Sequence, residues 1–102
     1  MDTLDLTGYS LSDTEIYDIL LYLKSIKKIK GLKLVKNKLT NDGLSKIFDL
    51  IPNVTNLNLS FNNLGDDAML SLLDNRPKIP YLRIINLSNN KINERRTKTA
   101  ID

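Results

Sequence analysis

The sequence predicts an α/β chain in which short parallel strands alternate with helices that pack back on the sheet. Three observations predict it. The pattern L-x-L-x-x-N-x-L recurs with starts at 4, 32, 57 and 85, at intervals of 28, 25 and 28 residues. Between the copies, apolar spacing changes from period two to the period of a helix. Capping residues stand where each helix should begin. Self-similarity at a near-constant period marks a chain built of stacked supersecondary units.

The first unit opens with Leu4-Asp5-Leu6 and reaches Leu11, with Tyr9 where the other copies have Asn. Ser12-Asp13-Thr14-Glu15 reads as a capping box. Ile16, Ile19, Leu20 and Leu23 then follow helical spacing. The second unit runs Leu32-Lys33-Leu34, Asn37, Leu39, and its helix carries Leu44, Ile47, Phe48 and Ile51. Asn41-Asp42 supplies its expected N-cap and first-turn acid. The third runs Leu57-Asn58-Leu59, Asn62, Leu64. Asp66-Asp67 starts its helix, Met69, Leu72 and Leu73 form the stripe, and Pro77 stops it. The fourth, Ile85-Asn86-Leu87 with Asn90 and Ile92, has no helix pattern after it. An apolar residue also stands three before each of the last three starts: Ile29, Val54 and Leu82.

A strand buries alternate residues. Leu4, Leu6, Leu32, Leu34, Leu57, Leu59, Ile85 and Leu87 are therefore expected to face inward, under the helices. The motif asparagines, Asn37, Asn62 and Asn90, fall where the chain turns out of each strand. Backbone groups there need partners, and an amide side chain both donates and accepts. A structural ladder of asparagines is the expectation. Helix 1 carries apolar residues beyond one stripe, at Tyr17, Leu21 and Tyr22. Such a helix is expected to be covered by something.

Four copies at this spacing resemble a leucine-rich repeat protein. The 25–28-residue period, with small Gly43 and Ala68 four residues after Leu39 and Leu64, is similar to the long-period, ribonuclease-inhibitor-like class. The resemblance covers residues 4–92. It implies a solenoid of about 3.5 repeats, sheet on the concave face and helices on the convex face. Residues 1–92 form the repeat domain. Residues 93–102 form a polar tail, for which disorder and covering of the last edge are the alternatives. The exposed solenoid ends make homo-oligomers by end-to-end stacking one of the expected outcomes.

Composition narrows function. The chain has 102 residues, net charge +3, and neither cysteine nor histidine. Thiol chemistry, Cys/His zinc sites and His-based acid–base catalysis are thereby excluded. The start lacks a basic region followed by an apolar run, and no disulfide framework exists. The expected location is intracellular, in the cytoplasm, with no membrane association. The three sequons, at Asn53, Asn58 and Asn86, read as chance occurrences among twelve asparagines. Acidic pairs such as Asp66-Asp67 are explained by helix starts, and the four glycines make no phosphate loop. The chain is expected not to be an enzyme, and to use no cofactor and no metal.

The resemblance implies a protein-interaction module whose partner docks on the concave surface. Residues placed there are Asp5, Thr7, Lys33, Val35, Lys36, Asn58, Ser60, Phe61, Asn86, Ser88 and Asn89, with Gly8 beside them. Phe61 is the foremost anchor, since buried aromatics dominate interface energetics. The alternative for Phe61 is local packing against the turn. Seven lysines and no acid lie between Lys24 and Lys38. They divide between the faces of the fold. A solvated charge run is the plainer reading, and binding of an acidic partner or nucleic acid the sharper one. Regulation of an enzyme such as a small GTPase is a further alternative. It would call for a solvent-facing arginine at a motif edge, for which Arg76 and Arg83 are nearest.

Overall fold

The computed structural model describes residues 2–26 and 28–92. The polar tail, Lys27 and Met1 lie outside the described residues. Four strands alternate with three helices: β1 Thr3–Asp5, α1 Asp13–Lys24, β2 Gly31–Lys33, α2 Asn41–Ile47, β3 Asn56–Asn58, α3 Asp67–Asp74 and β4 Ile84–Asn86. Short 3-10 turns, Phe48–Leu50 and Arg76–Lys78, follow α2 and α3. The strands form one parallel sheet in the order β1-β2-β3-β4. Register is constant: Leu4, Leu32, Leu57 and Ile85 are aligned partners, as are Asp5, Lys33, Asn58 and Asn86.

The helices cover one face of this sheet, α1 beside α2 and α2 beside α3. Leu32, Leu34, Leu57 and Leu59 are buried there, with Ile16 and Leu20 of α1 and Leu44 and Ile47 of α2. Leu4, Leu6, Ile85 and Leu87, in the two outer strand units, are half-buried against the same core. Ile29 and Val54 are buried and Leu82 half-buried, so the return loops also face inward.

Ser12 caps α1 through the reciprocal box: its hydroxyl accepts from the Glu15 N–H, and the Glu15 carboxylate accepts from the Ser12 N–H. The start of α2 corrects the expectation. Thr40 is its N-cap, accepting from the Gly43 N–H, and Asn41 is already helical. The Asn41 side chain instead reaches the next unit, where it accepts from the Gly65 N–H at 2.9 Å. Before α3, Asp66 has helical dihedrals rather than the extended conformation of a cap.

Helix ends also differ in detail. α2 gives way to the 3-10 turn at Phe48, so Ile51 lies beyond the helix, although it is buried with the rest of the stripe. α3 stops at Asp74, and Pro77 sits in the turn that follows. Leu73 is exposed, because Ala68, Met69 and Leu72 already fill the buried stripe of this eight-residue helix. On α1, Tyr17 packs against the core, whereas Leu21 and Tyr22 are exposed.

Candidate interaction surface

Among the described residues no helix lies on the sheet's second face. Outward positions form rows by register: Thr3, Gly31, Asn56 and Ile84, then Asp5, Lys33, Asn58 and Asn86. The first row was not among the expected site residues. Its signal is present in the sequence, since alternation simply extends one residue before each motif. All of the row residues but Asp5 line a shallow depression. Ile84 is 59% exposed within it. Gly31 sits close under its neighbour, and a Cβ there would lie 2.7 Å from Thr3 Oγ1.

Much of the outward polarity is spent locally. Asp5 accepts from the Thr7 N–H and hydroxyl, at 3.0 and 2.5 Å. Asn58 does the same for Ser60 and Asn86 for Ser88. The Thr7 hydroxyl, and then its N–H, hold the Asp5 carboxyl below the ordinary 3.8. Ser60 corrects the expected surface: at 5% exposure it is buried. Its hydroxyl turns to Asn58, and its carbonyl accepts from Lys36 and Asn62. Asn58 and Val35 are half-buried, and Thr7, Lys33, Asn86, Ser88 and Asn89 are exposed.

Beyond the rows, each strand leaves through a residue in the left-handed region. Gly8 (φ 81°), Lys36 (58°), Phe61 (57°) and Asn89 (57°) occupy equivalent places. Glycine and asparagine adopt this conformation readily; lysine and phenylalanine pay roughly 1–2 kcal/mol for it. The rotation carries both long side chains to the surface. Phe61 is 48% exposed rather than folded onto the turn, and the Lys36 ammonium lies 5.7 Å from its ring centroid.

The motif asparagines lie under this rim and face inward. Asn62 accepts from the Leu39 N–H at 2.9 Å and donates to the Leu34 carbonyl at 2.8 Å, both in the preceding unit. It also donates to the Leu59 and Ser60 carbonyls of its own turn. Asn37 likewise serves Leu11 and Leu6, and Asn90 serves Asn62, Leu64 and Leu59. These residues hold units together and offer nothing to a partner.

A second set of cross-unit bonds, absent from the sequence reading, ties the helix starts. Asp13 accepts from the Thr40 N–H at 2.8 Å and from its hydroxyl, as Asn41 accepts from Gly65. Gly43 makes room for this, since a Cβ there would overlap the Asp13 carboxylate. The signal was Asp or Asn two residues after each closing leucine: Asp13, Asn41 and Asp66.

The remaining lysines scatter. Lys24 ends α1, Lys28 and Lys30 follow it, and Lys38 is exposed in the turn before α2. Lys30 pairs with Asp2 at 3.8 Å. Arg76 and Arg83 lie near the β4 edge, beside Leu73 and Ile84. Among the described residues there is no group of three acidic side chains able to hold a metal ion. Among them, too, no helix is long and apolar enough to cross a membrane.

A family profile described as Leucine Rich repeat matches residues 51–73, which span β3, its turn and most of α3. That stretch is a leucine-rich repeat. Domains of this kind generally mediate protein–protein interaction and are typically not enzymes. The matched unit is the one that contains both Asn62 and Phe61. No curated protein matches the chain as a relative.

Proposed function

We propose that this chain is a leucine-rich repeat protein-interaction module that receives its partner on the open face of the sheet. The observation that carries this reading is the in-register array of outward residues, over which no helix of the described residues lies, bordered by exposed Phe61 and Ile84. A rigid scaffold with exposed, unrepeated side chains at its rim suits recognition. In this reading residues 1–92 act as one short solenoid of the long-period class, its sheet face concave and its location intracellular. The outer edges of β1 and β4, with Ile84 exposed beside the second, favour end-to-end association as a second reading.

A photo-crosslinking amino acid at Asn56, Phe61 or Ile84 tests the first reading, against the same group at Asp18, Lys46 or Leu70 on the helices. Discrete adducts in native extract from the sheet positions support it. Adducts from the helix positions alone refute it. Light scattering tests the second: a strict monomer at high concentration removes end-to-end stacking.

A further inference from the structure

Equivalent positions in four units show which side chains this fold asks for. Three units place Asp or Asn after the first motif leucine and Thr or Ser two residues on, joined by a pair of hydrogen bonds: Asp5–Thr7, Asn58–Ser60 and Asn86–Ser88. The β2 unit has Lys33 and Val35 there, which cannot form the pair. At the left-handed position two units carry Gly8 and Asn89, whereas the middle units carry Lys36 and Phe61.

These four departures are neighbours. Lys33, Val35 and Lys36 share one unit, and Phe61 of the next lies beneath the Lys36 ammonium. They are not replaced by a structural gain. Lys33, Lys36 and Phe61 are exposed, and Val35 is half-buried. Local rules broken without structural return mark functional positions, and strained backbone persists at ligand clamps.

Chemistry then selects the occupant. Lys33 on the outward rows and Lys36 just beyond them contribute two cations, and the one carboxylate of the rows is Asp5, whose Oδ1 accepts both Thr7 bonds. Val35 and Phe61 add an apolar strip beside them. We propose that Lys33, Val35, Lys36 and Phe61 form a docking patch for an acidic segment of a protein partner. Its carboxylates lie on the two ammonium groups, and an aliphatic side chain lies against Phe61 and Val35. This rests on the sheet face being the interaction face. A nucleic acid suits the patch less well, because base stacking wants successive aromatic platforms and only Phe61 is offered.

The test is an amide chemical-shift titration of the 15N-labelled chain with the blocked pentapeptide DELDE. Its uncharged counterpart NQLNQ and a pentathymidylate serve as alternatives. DELDE is expected to shift the amides of Lys33, Val35, Lys36 and Phe61, more weakly as salt rises. The variant Lys33→Asn, Val35→Ser, Lys36→Asn rebuilds the pattern of the other units. It is expected to keep its Tm at or above that of the parent and to bind DELDE at least about fivefold more weakly. Phe61→Asn is expected to weaken DELDE likewise. No shifts, unchanged affinity in the rebuilt variant, equal binding of NQLNQ or tighter binding of pentathymidylate would each overturn the proposal. If crosslinks still form from Asn56 or Ile84 while DELDE does not bind, the acidic-partner inference alone fails. If the sheet-face crosslinks vanish, the interaction face itself is wrong.

Discussion

Replacing Asn62 with alanine tests the central bond set of the fold. Asn62 is buried and makes four hydrogen bonds. Two of its four partners have other support: the Leu59 carbonyl also accepts from Asn90, and the Ser60 carbonyl from the Lys36 N–H. The Leu39 N–H and Leu34 carbonyl belong to fully buried residues and lose the side chain that satisfies them. A stranded buried group costs about 1–3 kcal/mol. Two would cost about 2–6 kcal/mol, and water entering the vacated space lowers this towards about 3 kcal/mol. For a domain of this size, that corresponds to a Tm lower by more than about 10 °C. Asn37→Ala is the comparison. It strands the Leu11 N–H and Leu6 carbonyl, in half-buried residues that water reaches, so its loss should be about half as large. Thermal and urea unfolding followed by circular dichroism measure both. An unchanged Tm for Asn62→Ala, or equal losses at the two sites, would refute the reasoning.

Three further predictions follow from the local geometry. Gly43→Ala should destabilise by about 1–3 kcal/mol, because the new methyl displaces the Asp13 carboxylate from Thr40; a double-mutant cycle with Asp13→Ala should recover much of that loss, and strict additivity would disprove the link. Phe61→Asn should leave urea stability unchanged or raise it by up to about 1 kcal/mol, since relief of the left-handed strain outweighs one exposed cation–π contact; a clear loss of stability would mean that Phe61 packs structurally. The Ser12 N–H, and then its hydroxyl, hold the Glu15 carboxyl below the ordinary 4.5. A carboxyl depressed in the folded state contributes stability above its unfolded pKa and loses it as pH falls through the folded one. Urea midpoints should therefore decline below about pH 4.5 less steeply in Glu15→Gln than in the parent, and parallel curves would contradict this.

The buried face was legible because strand alternation and helix spacing are each carried by one residue type at fixed intervals. Leu32, Leu34, Leu57 and Leu59 needed nothing beyond their parity. The cap of α2 was not legible in the same way. Thr40 and Asn41 are both good caps, and the choice falls to Thr40 because Asn41 is claimed by Gly65 in the next unit. Such a claim depends on units lying side by side, which no local spacing records. The same holds for Asp13, which reads as a first-turn acid and also bonds a helix start 27 residues away. Ser60 was misplaced because its hydroxyl turns to Asn58 and its carbonyl takes bonds from Lys36 and Asn62, claims that parity does not record. The left-handed position was hidden by its occupants: Gly8 and Asn89 advertise it, whereas Lys36 and Phe61 conceal it.

The cross-unit bonds of the motif asparagines all run one way, each side chain serving the unit before its own. Loss of a unit is therefore not symmetric between the two ends. If the β4 unit peels away, Asn90 withdraws from the amides of Asn62 and Leu64 and from the Leu59 carbonyl, and the β3 unit is left with bare groups of its own. If the β1 unit peels away, no asparagine leaves with it, and what goes is Asp13 from Thr40. Fraying is thus self-propagating from one end and self-limiting from the other. Amide exchange should show protection eroding in sequence from β4 towards β2, with the β1–β2 pair as the last to open.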